Sequence, residues 1–162
     1  MKTREITGTL TTLLNELVNG APLNGAYMLN RGDPGLLKSL DRISASEASQ
    51  IHAGGSSVAA HVDHLRYGLS LMNRWAAGEE NPFAEADWGE SWTRTKVTEP
   101  EWTERRQALR DEAERWLDAL REPRDVIEIE LNGMVGSIAH LAYHLGAIRQ
   151  MDRTLRGPAE VG

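Results

Sequence analysis

Four segments of this chain repeat apolar residues at the three-and-four spacing of an α-helix, which leaves few folds open to it. Over residues 6–18, Ile6, Leu10, Leu13, Leu14, Leu17 and Val18 share one helical face, and Asn19-Gly20 ends the run. A second periodic segment runs from Ser57 to Ala77, with Gly78 as its natural stop. A third covers 99–120, with Trp102, Leu109, Ala113, Trp116, Leu117 and Leu120 on its apolar face. Thr98 and Glu101 have the spacing of a capping box before it, and Pro100 falls in its first turn. The last segment extends from Asn132, or a few residues earlier, to about Asp152. Residues 126–131, "VIEIEL", alternate briefly in the manner of a strand. Four long helices with so little strand signal predict an all-α fold, a four-helix bundle, in one domain over 1–162.

The connections are uneven. "APLNGAYMLNRGDPG" (21–35) is turn-rich, and Asp33 is placed to cap a short helix with Pro34 at its first position, running to about Leu40 or Ile43. Ser44 or Ser46 opens a further turn, and "AGGSS" (53–57) is a break. The stretch after Gly78 is long for a bundle connection, so it is expected to cross over the helices. Its Phe83, Trp88 and Trp92 suit three roles: a lid over a site, an anchor at a dimer face, or a fastening for the loop itself.

Composition removes several classes. The net charge of −6 and the lack of a Lys/Arg stripe argue against nucleic acid as a partner. There is no cysteine, hence no disulfide, thiolate metal site or cysteine nucleophile. The N-terminus lacks the apolar core of a signal peptide, and no stretch approaches the ~18 apolar residues of a membrane span. A soluble cytoplasmic protein is the expectation.

The chain spends four of its five histidines on two helices, His61 and His64 on the second and His140 and His144 on the last. At about 100° per residue, His64 falls about 60° from His61, and both sit on or beside the apolar stripe. Asp63, Arg66 and Asn73 fall outside that stripe, Asp63 on the outer arc facing solvent. On the last helix His144 falls about 40° from His140, Tyr143 about 60° to the other side where it can line a pocket, and Arg149 about 180° away, pointing outward. Buried imidazoles cost desolvation unless each finds a partner. The His140/His144 pair has the i, i+4 spacing that chelates one ion, and a third imidazole from the other helix would complete a three-histidine face with an open position. Neutral imidazoles suit divalent zinc, nickel, iron or copper rather than calcium or magnesium. Packing as hydrogen-bonded core histidines is the competing reading.

"SVAAHVDHLRYGLSLM" followed much later by "GSIAHLAYHLGAIRQ" resembles the DinB-like superfamily, the damage-inducible and thiol-transferase-like four-helix proteins. The resemblance implies a four-helix bundle with long crossing loops, often dimeric, with a divalent metal held by one histidine of the second helix and two of the fourth. Counting from Ser57, it assigns His64, His140 and His144 as ligands, with zinc or nickel favoured, and leaves His61 as an outer-shell group or an alternative ligand. It implies a metal-dependent thiol S-transferase, using a low-molecular-weight thiol such as mycothiol or bacillithiol and a small electrophile, with His61 and Tyr143 as candidate catalytic groups. Many relatives follow the last ligand with a Gly-Gln step; here Leu145, Gly146 and Ala147 follow, and glutamine comes only at Gln150. A non-catalytic bundle working through a protein partner, and a metal-dependent hydrolase, are the alternatives.

Overall fold

The second long helix shows how closely local chemistry sets the architecture. Ser57 takes an extended backbone conformation and its Oγ accepts from the Ala60 N–H, so the helix starts at Val58. In a computed structural model describing residues 3–52 and 55–159, six α-helices follow in chain order: α1 (Thr7–Asn19), α2 (Gly35–Leu40), α3 (Ala45–Ala48), α4 (Val58–Ala76), α5 (Glu99–Arg121) and α6 (Glu128–Met151). The 53–57 break falls partly outside the described residues.

The four long helices form the bundle: α1 and α4 each pack against both α5 and α6. The predicted apolar faces are the buried ones. Leu10, Leu14, Leu17 and Val18 of α1 are in the core, as are all six residues expected from α5. The Thr98–Glu101 capping box forms, with Glu101 Oε2 accepting from the Thr98 N–H at 2.7 Å. The strand-like alternation before Asn132 resolves into helix, because Glu130 Oε2 accepts from the Ile127 N–H at 2.8 Å and starts α6 early. No helix among the described residues is long and apolar enough to cross a membrane.

Two residues depart from the helical-wheel expectation, for one reason: the connections cover helix faces that a bare bundle would leave to water. Asp63 is buried, with its carboxylate 3.0 Å from Arg66 Nε and 3.9 Å from Arg94 Nε, because the loop after α4 returns over that side. Arg149 turns toward the protein. Its guanidinium donates through Nη1 and Nη2 to Asp33 Oδ2 and Oδ1 at 2.9 and 2.7 Å. Asp33 also accepts from the Gly35 N–H at 2.8 Å, so it does cap the turn into α2, while Pro34 lies just outside the helix. One buried carboxylate thus ties the 20–34 loop to the far end of α6.

Glu16 of α1 fastens the same loop. Its buried carboxylate accepts from the backbone N–H groups of Tyr27, Met28 and Leu29 at 2.6–3.1 Å. Trp102 of α5 donates from Nε1 to the Ile43 carbonyl at 2.9 Å, pinning the α2–α3 connection.

Removing one partner of a buried, bidentate pair strands the other charge, at a cost of ~3–5 kcal/mol. Asp33→Ala should therefore lower unfolding free energy by about that amount in urea titrations followed by circular dichroism. A loss below ~1 kcal/mol, the range of an exposed pair, would show that the link is not structural.

Candidate metal centre

The first two turns of α4 are buried all round, from Val58 to Leu65, so both of its histidines lie within the protein. α6 packs alongside, and its i, i+4 pair projects toward them. His140 Nε2 sits 3.1 Å from His64 Nε2 and 2.9 Å from His144 Nε2. One ligand-capable atom from each of His64, His140 and His144 lies within 4.8 Å of the others. His61 is placed differently: its Nδ1 is 2.8 Å from Nδ1 of His144, on the side of that ring away from the cluster.

The protons in this arrangement can be counted. Ser91 Oγ donates its only hydrogen to the Trp88 carbonyl at 2.7 Å. It must therefore accept from His64 Nδ1, 2.9 Å away, which leaves a lone pair on His64 Nε2. His140 Nε2 carries at most one proton when neutral, and it lies between two nitrogens. If it donates to His64, it has no hydrogen left for His144; if it accepts from His144, its lone pair faces that of His64. No set of neutral tautomers satisfies both contacts. A cation placed among the three nitrogens satisfies them all, and nitrogens bonded to one zinc ion at ~2.0–2.1 Å stand ~3.3 Å apart in a tetrahedral arrangement. The donor set therefore fits a divalent transition metal.

Burial keeps these rings neutral. It pushes His61 down to about 4. It pushes His64 to about 4, helped by the nearby imidazoles of His140 and His61. His144 is lowered to about 3, by burial first and the other three rings second, and burial lowers His140 too. Metal coordination requires the neutral ring, so at neutral pH little proton competition remains.

The crossing loop covers the cluster. Trp92 stacks on His64 with centroids 4.3 Å apart and presents its ring edge-on to His61 at 5.0 Å. Trp88 lies 5.6 Å from His64. The Tyr67 hydroxyl accepts from the Asp87 N–H at 3.0 Å and holds this part of the loop to α4. Of the three roles open to the tryptophans, covering the site and fastening the loop are combined. Tyr143 is exposed, with its ring 5.0 Å from that of His144, and does not line the neighbouring cavity. Sequence reasoning missed Ser91. A lone serine between two tryptophans carries no pattern, and only the loop's path brings it to His64.

Beside His64 and His140 opens a cavity of about 430 Å³. Leu65, Leu69, Met72, Phe83, Trp88 and Leu141 supply its apolar wall, and no charged side chain among the described residues contributes.

An all-α bundle carrying a three-histidine cluster able to coordinate a metal ion is the class that these features define. Within that class the chain belongs to the DinB superfamily, whose family model matches residues 29–148, a span that includes both histidine pairs. No curated protein matches the chain, and no solved structure does.

The lowered imidazole values fix a pH dependence for the metal-free protein. Between about 6.5 and 4 the unfolded chain binds protons that the folded histidines refuse, so stability is full above about 6.5 and falls as the pH drops through that window. Urea midpoints of chelator-treated protein should decline steadily from pH 7 to pH 4.5. The decline should shrink in a His61→Phe variant, which removes one of the refusing rings. An unchanged pH slope in that variant would contradict the assignment.

Proposed function

We propose that the protein is a divalent-metal-dependent thiol S-transferase, with His64, His140 and His144 as the metal ligands. The observation that carries this reading is the convergence of three imidazole nitrogens, short of protons, at the rim of an apolar cavity without carboxylates. When bound, a divalent ion lowers the pKa of a thiol that shares its site and stabilises the thiolate. In the overall reaction the thiol S–H bond breaks, sulfur bonds to an electrophilic carbon, the leaving group departs with its bonding pair, and the thiol proton ends on the leaving group or in solvent. No Asp or Glu among the described residues lines the cavity, which favours transfer over hydrolysis, where a carboxylate base beside the water is the common device.

The chain's own residues orient the site. Ser91 holds His64 in the tautomer with Nδ1–H. His61 accepts from His144 Nδ1–H and holds that ring likewise, so we assign it positioning rather than proton transfer. Trp92 excludes water from the back of His64. Tyr143, Val135 and Ile129 leave an exposed apolar face on α6, which supports a homodimer through that helix. A chain without cysteine is compatible with a reducing, cytoplasmic setting.

Protein purified without a metal-affinity step should carry about one divalent ion per chain by elemental analysis. His140→Ala should lose it while far-UV circular dichroism stays helical. Loaded protein should consume bacillithiol or mycothiol in the presence of 1-chloro-2,4-dinitrobenzene, and His64→Ala should not. Protein that neither carries nor takes up an ion at micromolar concentration would remove the whole reading. Thiol consumption indifferent to His64 would remove the transferase.

Groups that orient metal ligands typically contribute 10–100-fold in metal affinity. Ser91→Ala should weaken zinc binding by roughly that factor in a competition titration, and Ser91→Thr should restore most of it. Equal affinity in Ser91→Ala would show that the hydroxyl does not hold the ring.

A further inference from the structure

Three glycines sit inside helices and line the same cavity: Gly68 on α4, and Gly133 and Gly136 on α6. Glycine inside a helix costs ~0.5–1 kcal/mol relative to alanine. None of the three has a positive φ that would require it. Nor does crowding require it. A Cβ on Gly136 would meet nothing within 4 Å, one on Gly133 would touch only Met72 Cε at 3.7 Å, and one on Gly68 would make ordinary contacts with Trp88 and His140 at 3.6–3.8 Å. Alanine would fit at each position and stabilise its helix. What the three glycines share is the space in front of them.

The wall of that space is chemically uniform. Among the described residues Ser137 has the only hydroxyl on it, and that hydroxyl is engaged in both directions, donating to the Met134 carbonyl at 2.7 Å and accepting from Trp116 Nε1–H at 2.9 Å. No lysine, arginine, aspartate or glutamate among the described residues lines it. Phe83 and Trp88, half-exposed on the crossing loop, and the rings of His64 and His140 complete its lining. A carboxylate or phosphonate lodged against this wall would surrender its hydration with nothing to replace it. An uncharged aromatic or aliphatic body would gain burial and aromatic contact. The cavity also falls within the size range of small-molecule sites, ~300–1,000 Å³.

We propose that this cavity binds the uncharged, apolar body of the electrophile, a compact aromatic or branched aliphatic group seated against the Gly133–Gly136 floor, where a Cβ would meet little or nothing, and that it rejects anionic substrates. The electrophile's role rests on the transferase reading; the binding itself does not.

The test uses 1-naphthol and 1-naphthoate, alike in ring system, the first neutral and the second anionic at neutral pH. Binding to metal-loaded and to chelator-stripped protein is measured by saturation-transfer NMR and by quenching of tryptophan fluorescence. 1-Naphthol should bind both forms, and 1-naphthoate should bind the stripped form at least tenfold more weakly. Gly133→Leu, which fills the floor, should weaken 1-naphthol at least tenfold while zinc stoichiometry stays unchanged. Phe83→Ala, a change on a half-exposed loop residue that leaves the helices untouched, should weaken it severalfold. Naphthoate binding as tightly as naphthol to stripped protein, or naphthol binding unaffected by both variants, would overturn the proposal. Naphthol binding that follows these rules in a protein that takes up no metal would uphold the cavity assignment and overturn only the transferase reading.

Discussion

Three ring nitrogens crowded together with too few protons to share are the constraint on which the rest of the structure depends. In water such an arrangement would relax by protonation, since His64⁺ or His140⁺ could donate where its neutral form cannot. Burial closes that route by driving the imidazole values down to about 3–4 at His61, His64 and His144. Two outer contacts close the remaining one, ring rotation. Ser91 grips His64 from behind, and His61 grips His144. With protonation and rotation both restricted, the convergence persists as a poised ligand set.

Holding two helices in register to within an ångström needs more than an apolar core, which tolerates sliding. The buried Asp33–Arg149 pair, one turn beyond His144, fixes the end of α6 against the 20–34 loop, and Glu16 fixes that loop against α1 through three backbone N–H groups. Trp116 reaches from α5 to Ser137 on α6, one turn before His140. The histidine pair is thus bracketed on both sides by directional polar contacts. Buried polar groups of this kind add little net stability, but they define geometry.

This division explains what the sequence revealed. Local chemistry was legible. The start of the second long helix at about Ser57, the Thr98–Glu101 box and the α5 face from Trp102 to Leu120 depend only on neighbours in the chain, and so does the inward direction of His61, His64, His140 and His144. Asp63 and Arg149 were misplaced because a helical wheel treats the far side of a helix as water, whereas here long loops return over it. Glu16 and Ser91 were invisible for the same reason: their partners are set by the paths of the 20–34 and 77–98 segments, which no periodicity governs. The residue pattern alone left His61 and His64 equivalent as partners for the last helix. The packing of α4 on α6 separates them, turning Nε2 of His64 toward His140 and Nδ1 of His61 toward the back of His144.

The charge of the ligand set bears on what chemistry this site can favour. Carboxylate ligands would partly cancel the charge of a divalent ion, but three neutral imidazoles leave it whole. The nearest buried carboxylate in α4, Asp63, is already matched by Arg66 and Arg94. An uncompensated cation held by these imidazoles at the edge of an apolar cavity would favour an anionic partner, and the low local dielectric would strengthen that attraction relative to water. A thiol answers this demand better than an alcohol or water, because it ionises near pH 8–9 unaided and needs the least help to become an anion. The proposed second reactant would meet the opposite environment, a wall to which, among the described residues, no charged side chain contributes and in which three glycines take part. In the proposed transferase, one site would therefore select two different partners by two different forces, an ionisable one through electrostatics and an apolar one through burial, and would bring them together beside His64 and His140, which line the cavity.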